Sequence, residues 1–194
     1  GDTVYIDTGT NAYQTTVAAA DGNGTAAVPI TFVGPTNGAA AMFGGGGANG
    51  WHLNATTNVV LRAITSAGFA QGFRITAGSR NEIRGCSGRS NVNFGLQLRS
   101  GSTSNRAVSN DFATNAVGIQ VADGIGNILT NNAVRRNGGN GIEIVGTSLL
   151  NPVVRNRVSS NGANGIDAAG PAVDMNAFSY NTVNGGGRGT YGIR

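Results

Sequence analysis

The chain has 194 residues, of which 39% are apolar and 11% charged, and its net charge of +4 comes from 13 basic against 9 acidic side chains. Every basic residue is Arg, and no Arg-rich run with interleaved aromatics occurs, which argues against a nucleic-acid module. No apolar run reaches the length of a membrane span, and a single cysteine, Cys86, rules out an internal disulfide.

The length suits one domain over residues 1–194, with an irregular N-terminal part, 1–49, and regular repeats over 50–194. Gly1 to Ile6 reads as a first strand, Tyr13 to Val17 as a second and Val28 to Gly34 as a third. Residues 39–50, AAAMFGGGGANG, read as a low-complexity loop, flexible by composition. From there the chain repeats. Gly-apolar-x-apolar openings stand at Gly50, Gly72, Gly95, Gly118, Gly141 and Gly165, and Gly192-Ile193-Arg194 begins another. The openings at Gly95, Gly118 and Gly141 are followed by asparagines at intervals of five: Asn105/Asn110/Asn115, Asn127/Asn132/Asn137 and Asn151/Asn156/Asn161. Looser copies are Asn81/Cys86/Asn91 and Asn176/Asn181/Gly186.

A period of this size means stacked units that bury their apolar faces against one another. Within each unit the apolar residues alternate over short pieces such as Ile142-x-Ile144, broken by Gly or Asn, so the pieces are strands. Three short strands per unit, each pairing with its counterpart in the next, predict an all-β right-handed parallel β-helix of about 7–8 turns of roughly 23 residues. The coils should rise about 4.8 Å per turn. Asn is expected to supply the left-handed backbone of the corners and to form side-chain ladders, with Gly also turning corners. Cys86 takes an Asn position and reads as a small buried corner residue. The triplets Asn23-Gly24-Thr25 and Asn54-Ala55-Thr56 match a glycosylation acceptor, as chance allows in a sequence so rich in Asn.

The order GDTVYI, GTNAYQTTV, a Gly-rich gap and PITFVG resembles the N-terminal segment of secreted bacterial β-helix proteins of the pectate-lyase-like superfamily. The GI-x-I and N-x-I units that follow are similar to that superfamily's repeats. The resemblance covers almost the whole chain and implies the fold. It leaves activity open, because the superfamily includes polysaccharide lyases, glycoside hydrolases, uronan epimerases, tailspikes and adhesins.

Trp51 takes the inward position after Gly50 and should plug the core. The residue between the two inward apolars of each first strand should face solvent. Stacking then lines up His52, Arg74, Gln97, Gln120, Glu143, Asp167 and Arg194 as one polar outer stripe. In carbohydrate-active members of the superfamily the substrate lies across the outside of such a sheet, which makes this stripe the candidate glycan-binding face. Glu143 and Asp167 should be neighbours about 4.8 Å apart, close enough to act as a catalytic acid pair or to bind a cation such as Ca²⁺. The resemblance implies for a lyase a Lys or Arg base and clustered calcium ligands, which the chain does not supply as a motif, so no cofactor or metal site is assigned. Arg135, Arg136, Arg155 and Arg157, with Arg84, Arg89 and Arg106, make the second and third strands a candidate basic face for an acidic partner.

The first strand, Thr3 to Ile6, and Gly192-Ile193-Arg194 carry no polar caps, so head-to-tail self-association or excision from a longer solenoid is expected. Together these features lead to an extracellular or cell-surface module with a structural or binding role, leaning away from catalysis. The alternative is a lyase, hydrolase or epimerase of an acidic polysaccharide.

Overall fold

The computed structural model describes residues 1–6, 17–19, 23–35, 42–43, 47–184 and 192–194. Three parallel sheets wrap one core. The first holds Val17–Ala19, Asn49–Asn54, Gln71–Thr76, Phe94–Arg99, Val117–Ala122, Ile142–Val145 and Ile166–Ala169. The second runs through Thr3–Tyr5, Ile30–Val33, Val59–Arg62, Glu82–Arg84, Arg106–Val108, Ile128–Thr130, Val153–Val154 and Phe178–Ser179. The third comprises Met42–Phe43, Thr65–Ala67, Ser87–Arg89, Asp111–Ala113, Ala133–Arg135, Arg157–Ser159 and Thr182–Asn184. This is the expected all-β parallel β-helix.

The regular stack, Trp51 to Phe73, Leu96, Ile119, Ile142, Ile166 and Ile193, makes about 6 turns. That is fewer than the expected seven to eight, because the N-terminal strands are joined by longer segments: Val17 pairs with Trp51 and Thr3 with Thr31. Two sequence boundaries also shift. Met42–Phe43, inside the stretch read as a loop, pairs with Ser66 and Ala67. The strand expected at Tyr13 to Val17 begins at Val17, and residues 13–16 lie outside the described residues.

Alternation explains the burial. Ile119, Val121, Ile142 and Ile144 are fully buried, while Gln120 and Glu143 between them face outward. Trp51 is buried as expected and meets the edge of Phe32, with ring centroids 5.3 Å apart. On the third sheet the inward column reads Ser66, Gly88, Phe112, Val134. Phe112 fills the space that Gly88 vacates, since a Cβ there would stand 2.9 Å from its ring.

The corners correct one expectation about asparagine. The ladders exist, but the left-handed residue is usually the one before each ladder Asn. Ser109, Asn131, Arg155 and Tyr180 have φ of 54 to 57°, and each precedes a buried or half-buried ladder asparagine, Asn110, Asn132, Asn156 or Asn181. A left-handed non-glycine residue costs roughly 1–2 kcal/mol, and the ladder offsets it. The side-chain oxygen of Asn132 accepts from the backbone N–H of Asn110 at 3.0 Å and from its amide at 2.9 Å. Its Nδ2 donates to the Ala107 carbonyl at 3.0 Å and to Asn156 Oδ1 at 2.9 Å. All the polar capacity of a buried side chain is thus used.

The opening glycines are corrected too. Gly95 is not left-handed. A Cβ there would stand 2.7 Å from the Gly118 carbonyl oxygen and 2.8 Å from Asn115 Nδ2, so glycine is required by the close approach of coil and ladder. Cys86 ends one ladder: it is buried, its N–H donates to Asn110 Oδ1, and its thiol lies 3.4 Å from the Arg84 carbonyl. Burial pushes that thiol up to about 12, which makes it inert. Gly186, read as a looser ladder position, lies outside the described residues.

Candidate functional site on the first sheet

The polar stripe is a column in register. His52 pairs with Arg74, Arg74 with Gln97, Gln97 with Gln120, Gln120 with Glu143 and Glu143 with Asp167. The Ile166–Ile193 bridge then places Arg194 beside Asp167, where its Nε lies 3.6 Å from Asp167 Oδ1. Six steps of about 4.8 Å, from His52 to Arg194, give a face roughly 29 Å long.

The column changes character along its length. Its middle is an amide chain with one direction: Gln97 Nε2 donates to Gln120 Oε1 at 2.7 Å, and Gln120 Nε2 donates to Glu143 Oε2 at 2.6 Å, and Gln97, expected to face solvent, is buried by its neighbours. At its N-terminal end it is basic. His52 Nε2 contacts Thr76 Oγ1 at 3.0 Å, and burial, then the neighbouring Arg74 guanidinium, holds the imidazole below its ordinary 6.5. The shift favours the uncharged form of the ring. Arg74 is itself lowered, by burial first and by the Arg99 charge second, and its Nε is buried without a hydrogen-bond partner. Two guanidiniums held close in a partly desolvated place favour an anion between them.

At the other end Glu143 and Asp167 stand side by side as expected. The side-chain amide of Asn140 joins them, donating to Glu143 Oε1 at 2.9 Å and to Asp167 Oδ2 at 3.1 Å. With Gln120 on one side and Arg194 on the other, both carboxylates are arranged as acceptors, suited to sugar hydroxyls. Among the described residues no group of three or more His, Cys, Asp or Glu side chains converges.

Sequence reasoning missed three participants. Thr76 and Arg99 occupy the second outward position of their strands, two residues after Arg74 and Gln97, and pair with each other in register. Asn140 sits immediately before Gly141. Counting that second outward position along with the first would have found Thr76 and Arg99; nothing in the period marks Asn140.

The arginines do not form one continuous face. Arg84 and Arg106 both pair with Glu82, at 3.7 and 3.4 Å, on exposed side chains. Arg135 makes two hydrogen bonds to Asp111, at 3.1 and 2.6 Å. Arg155 lies over the Tyr180 ring, 5.7 Å from its centroid. Arg135, Arg136 and Arg157 line one cavity of about 340 Å³ on the third sheet.

These features define a parallel β-helix with a polar column along the first sheet. A family model described as right handed beta helix region matches residues 42–183, and the protein belongs to that family. A search of curated protein sequences finds no match. Among solved structures the fold is similar to that of pectate lyase Pel9A, with TM-score 0.74 and 18% identity over 93% of this chain and 52% of that one. It is also similar to an alginate lyase from Paenibacillus sp. str. FPU-7, with TM-score 0.71, 17% identity, and coverage of 88% of this chain and 66% of that one. A mutant of the periplasmic alginate epimerase AlgG matches with TM-score 0.64 and 17% identity, over 81% of this chain and 35% of that one. The chain therefore spans from about a third to two thirds of the length of these structures. No helix among the described residues is long and apolar enough to cross a membrane.

Proposed function

We propose that the chain is a carbohydrate-active β-helix that acts on an acidic polysaccharide laid along the first-sheet column, outside the cytoplasm. The observation that carries this reading is the basic end of the column, where His52 pairs in register with Arg74 and Arg99 stands one coil on, beside Gln97. A uronate carboxylate held by Arg74 and Arg99 has its adjacent C–H made more acidic, because the developing enolate charge falls on the same cations. His52 then takes that proton as general base. Departure of the neighbouring glycosidic oxygen, which takes a proton from the His52 imidazolium or from water, gives an unsaturated end, whereas protonation of the enolate by water on the opposite face gives an epimer. Gln97, Gln120, Glu143 and Asp167 bind the rest of the chain through its hydroxyls. The likeness to a pectate lyase, an alginate lyase and an alginate epimerase supports this over a purely structural role.

The test is incubation with alginate and polygalacturonate, reading unsaturated products by ultraviolet absorbance and epimers by proton NMR. Turnover abolished by His52→Gln and by Arg74→Gln is the expected result. Binding with no product would leave a binding module, and neither binding nor product would overturn the proposal.

A further inference from the structure

The third sheet carries a second feature, which the column on the first sheet does not use. Two cavities adjoin there at Ala133. One, of about 520 Å³, follows the corner between the second and third sheets past Thr65, Ser87, Ser109 and Asn131. The other, of about 340 Å³, is bounded by Arg135, Arg136, Arg157, Ser159 and Ser160. Together they make a channel parallel to the helix axis, open to solvent, hydroxylated along one part and basic at its end.

The basic end is built by the fold. Arg136 is held left-handed, at φ 55°, in the corner before the buried Asn137. Arg157 opens the strand one coil further on, in register with Ala133, whose small side chain leaves the space between them open. The Asp111 carboxylate is already engaged by Arg135. Among the described residues no carboxylate pairs with Arg136 or Arg157. Two uncompensated guanidiniums facing one cavity repel each other and are relieved by a bound anion.

We infer that Arg136 and Arg157 form an anion subsite at the end of a second polysaccharide-binding groove on the third sheet, separate from the first-sheet column. An extended uronate chain fits the groove: its hydroxyls meet Thr65, Ser87, Ser109 and Asn131, and a carboxylate reaches the two arginines. The inference rests on the reading of the chain as active on an acidic polysaccharide and adds a place where a long polymer is held away from the column. Holding one polymer at two places raises its apparent affinity through effective concentration, without any new contact at the column.

The test compares the whole chain with its Arg136→Gln/Arg157→Gln double variant in binding to alginate polymer and to short alginate oligomers at low salt. Both side chains are exposed, so the variant should melt with the parent. The expected result is an affinity for the polymer lowered by about fivefold or more, with oligomer binding and turnover unchanged. Polymer affinity equal to that of the parent would overturn the inference. Arg74→Gln in parallel separates the two claims. If that variant binds oligomers as the parent does while the double variant still loses the polymer, the first-sheet reading fails and the groove stands.

Discussion

Two kinds of amide ladder run along this molecule, and they differ in what they leave free. Inside, the asparagine ladders repeat one residue type, and Asn127 illustrates their completeness. Its Oδ1 accepts from the N–H and the amide of Asn105, while its Nδ2 donates to the Ser102 carbonyl and to Asn151 Oδ1. Outside, Gln97, Gln120 and Glu143 form a comparable chain, but the residue type changes at nearly every coil, and unlike charges stand at the two ends. The inner ladder is uniform because each coil sets its neighbour the same task. The outer one is varied, and that variation, along a stack that needs none for folding, is why the proposed ligand is placed there.

Adjacent residues on opposite faces break this comparison most sharply. Ile142→Asp puts a charge with no partner into a fully buried position and should unfold the module, a loss above about 4 kcal/mol, whereas Glu143→Gln should leave the melting temperature almost unchanged. A thermal melt read by circular dichroism decides it, and a folded Ile142→Asp would contradict the rung register.

Next in size is the ladder itself. Asn132→Ala strips partners from Asn110 and Asn156 and from the Ala107 carbonyl, and should cost about 3 kcal/mol in urea unfolding. The matching outer change, Gln120→Ala, should cost about 0.5 kcal/mol yet weaken glycan binding. Equal losses at the two positions would erase the distinction between the ladders.

The smallest effect concerns pH. Because the folded state holds His52 below its ordinary 6.5, the unfolded chain binds more protons just below that value. Stability from this group is complete above about 6.5 and falls as the pH drops toward the lower folded value. His52→Gln should flatten that part of a stability profile measured between pH 7 and 5, and an unchanged profile would mean that His52 is not held neutral.

The first-sheet column could be read from the sequence because a strict period converts position into neighbourhood. Once Gly72, Gly95, Gly118 and Gly141 were aligned, His52 through Asp167 followed as one face. Contacts that depend on side-chain reach were not legible. Asp111 and Arg135 lie a coil apart, and only the folded chain shows one neutralising the other. The same holds for Asn140 joining two carboxylates and for Thr76 beneath His52. The corner rule was half legible: the period gives the ladder, but the left-handed residue before it can be Ser, Arg, Leu, Met or Tyr. At the two ends, Thr3–Tyr5 borders the second sheet, while Ile193 extends the first.

A crystal structure of the protein soaked with a short oligouronate tests the proposed site most directly. Sugar density along the first sheet, with a carboxylate between Arg74 and Arg99 and hydroxyls on Glu143 and Asp167, is the predicted result. A sugar bound only elsewhere, with the column from His52 to Asp167 bare, would contradict it.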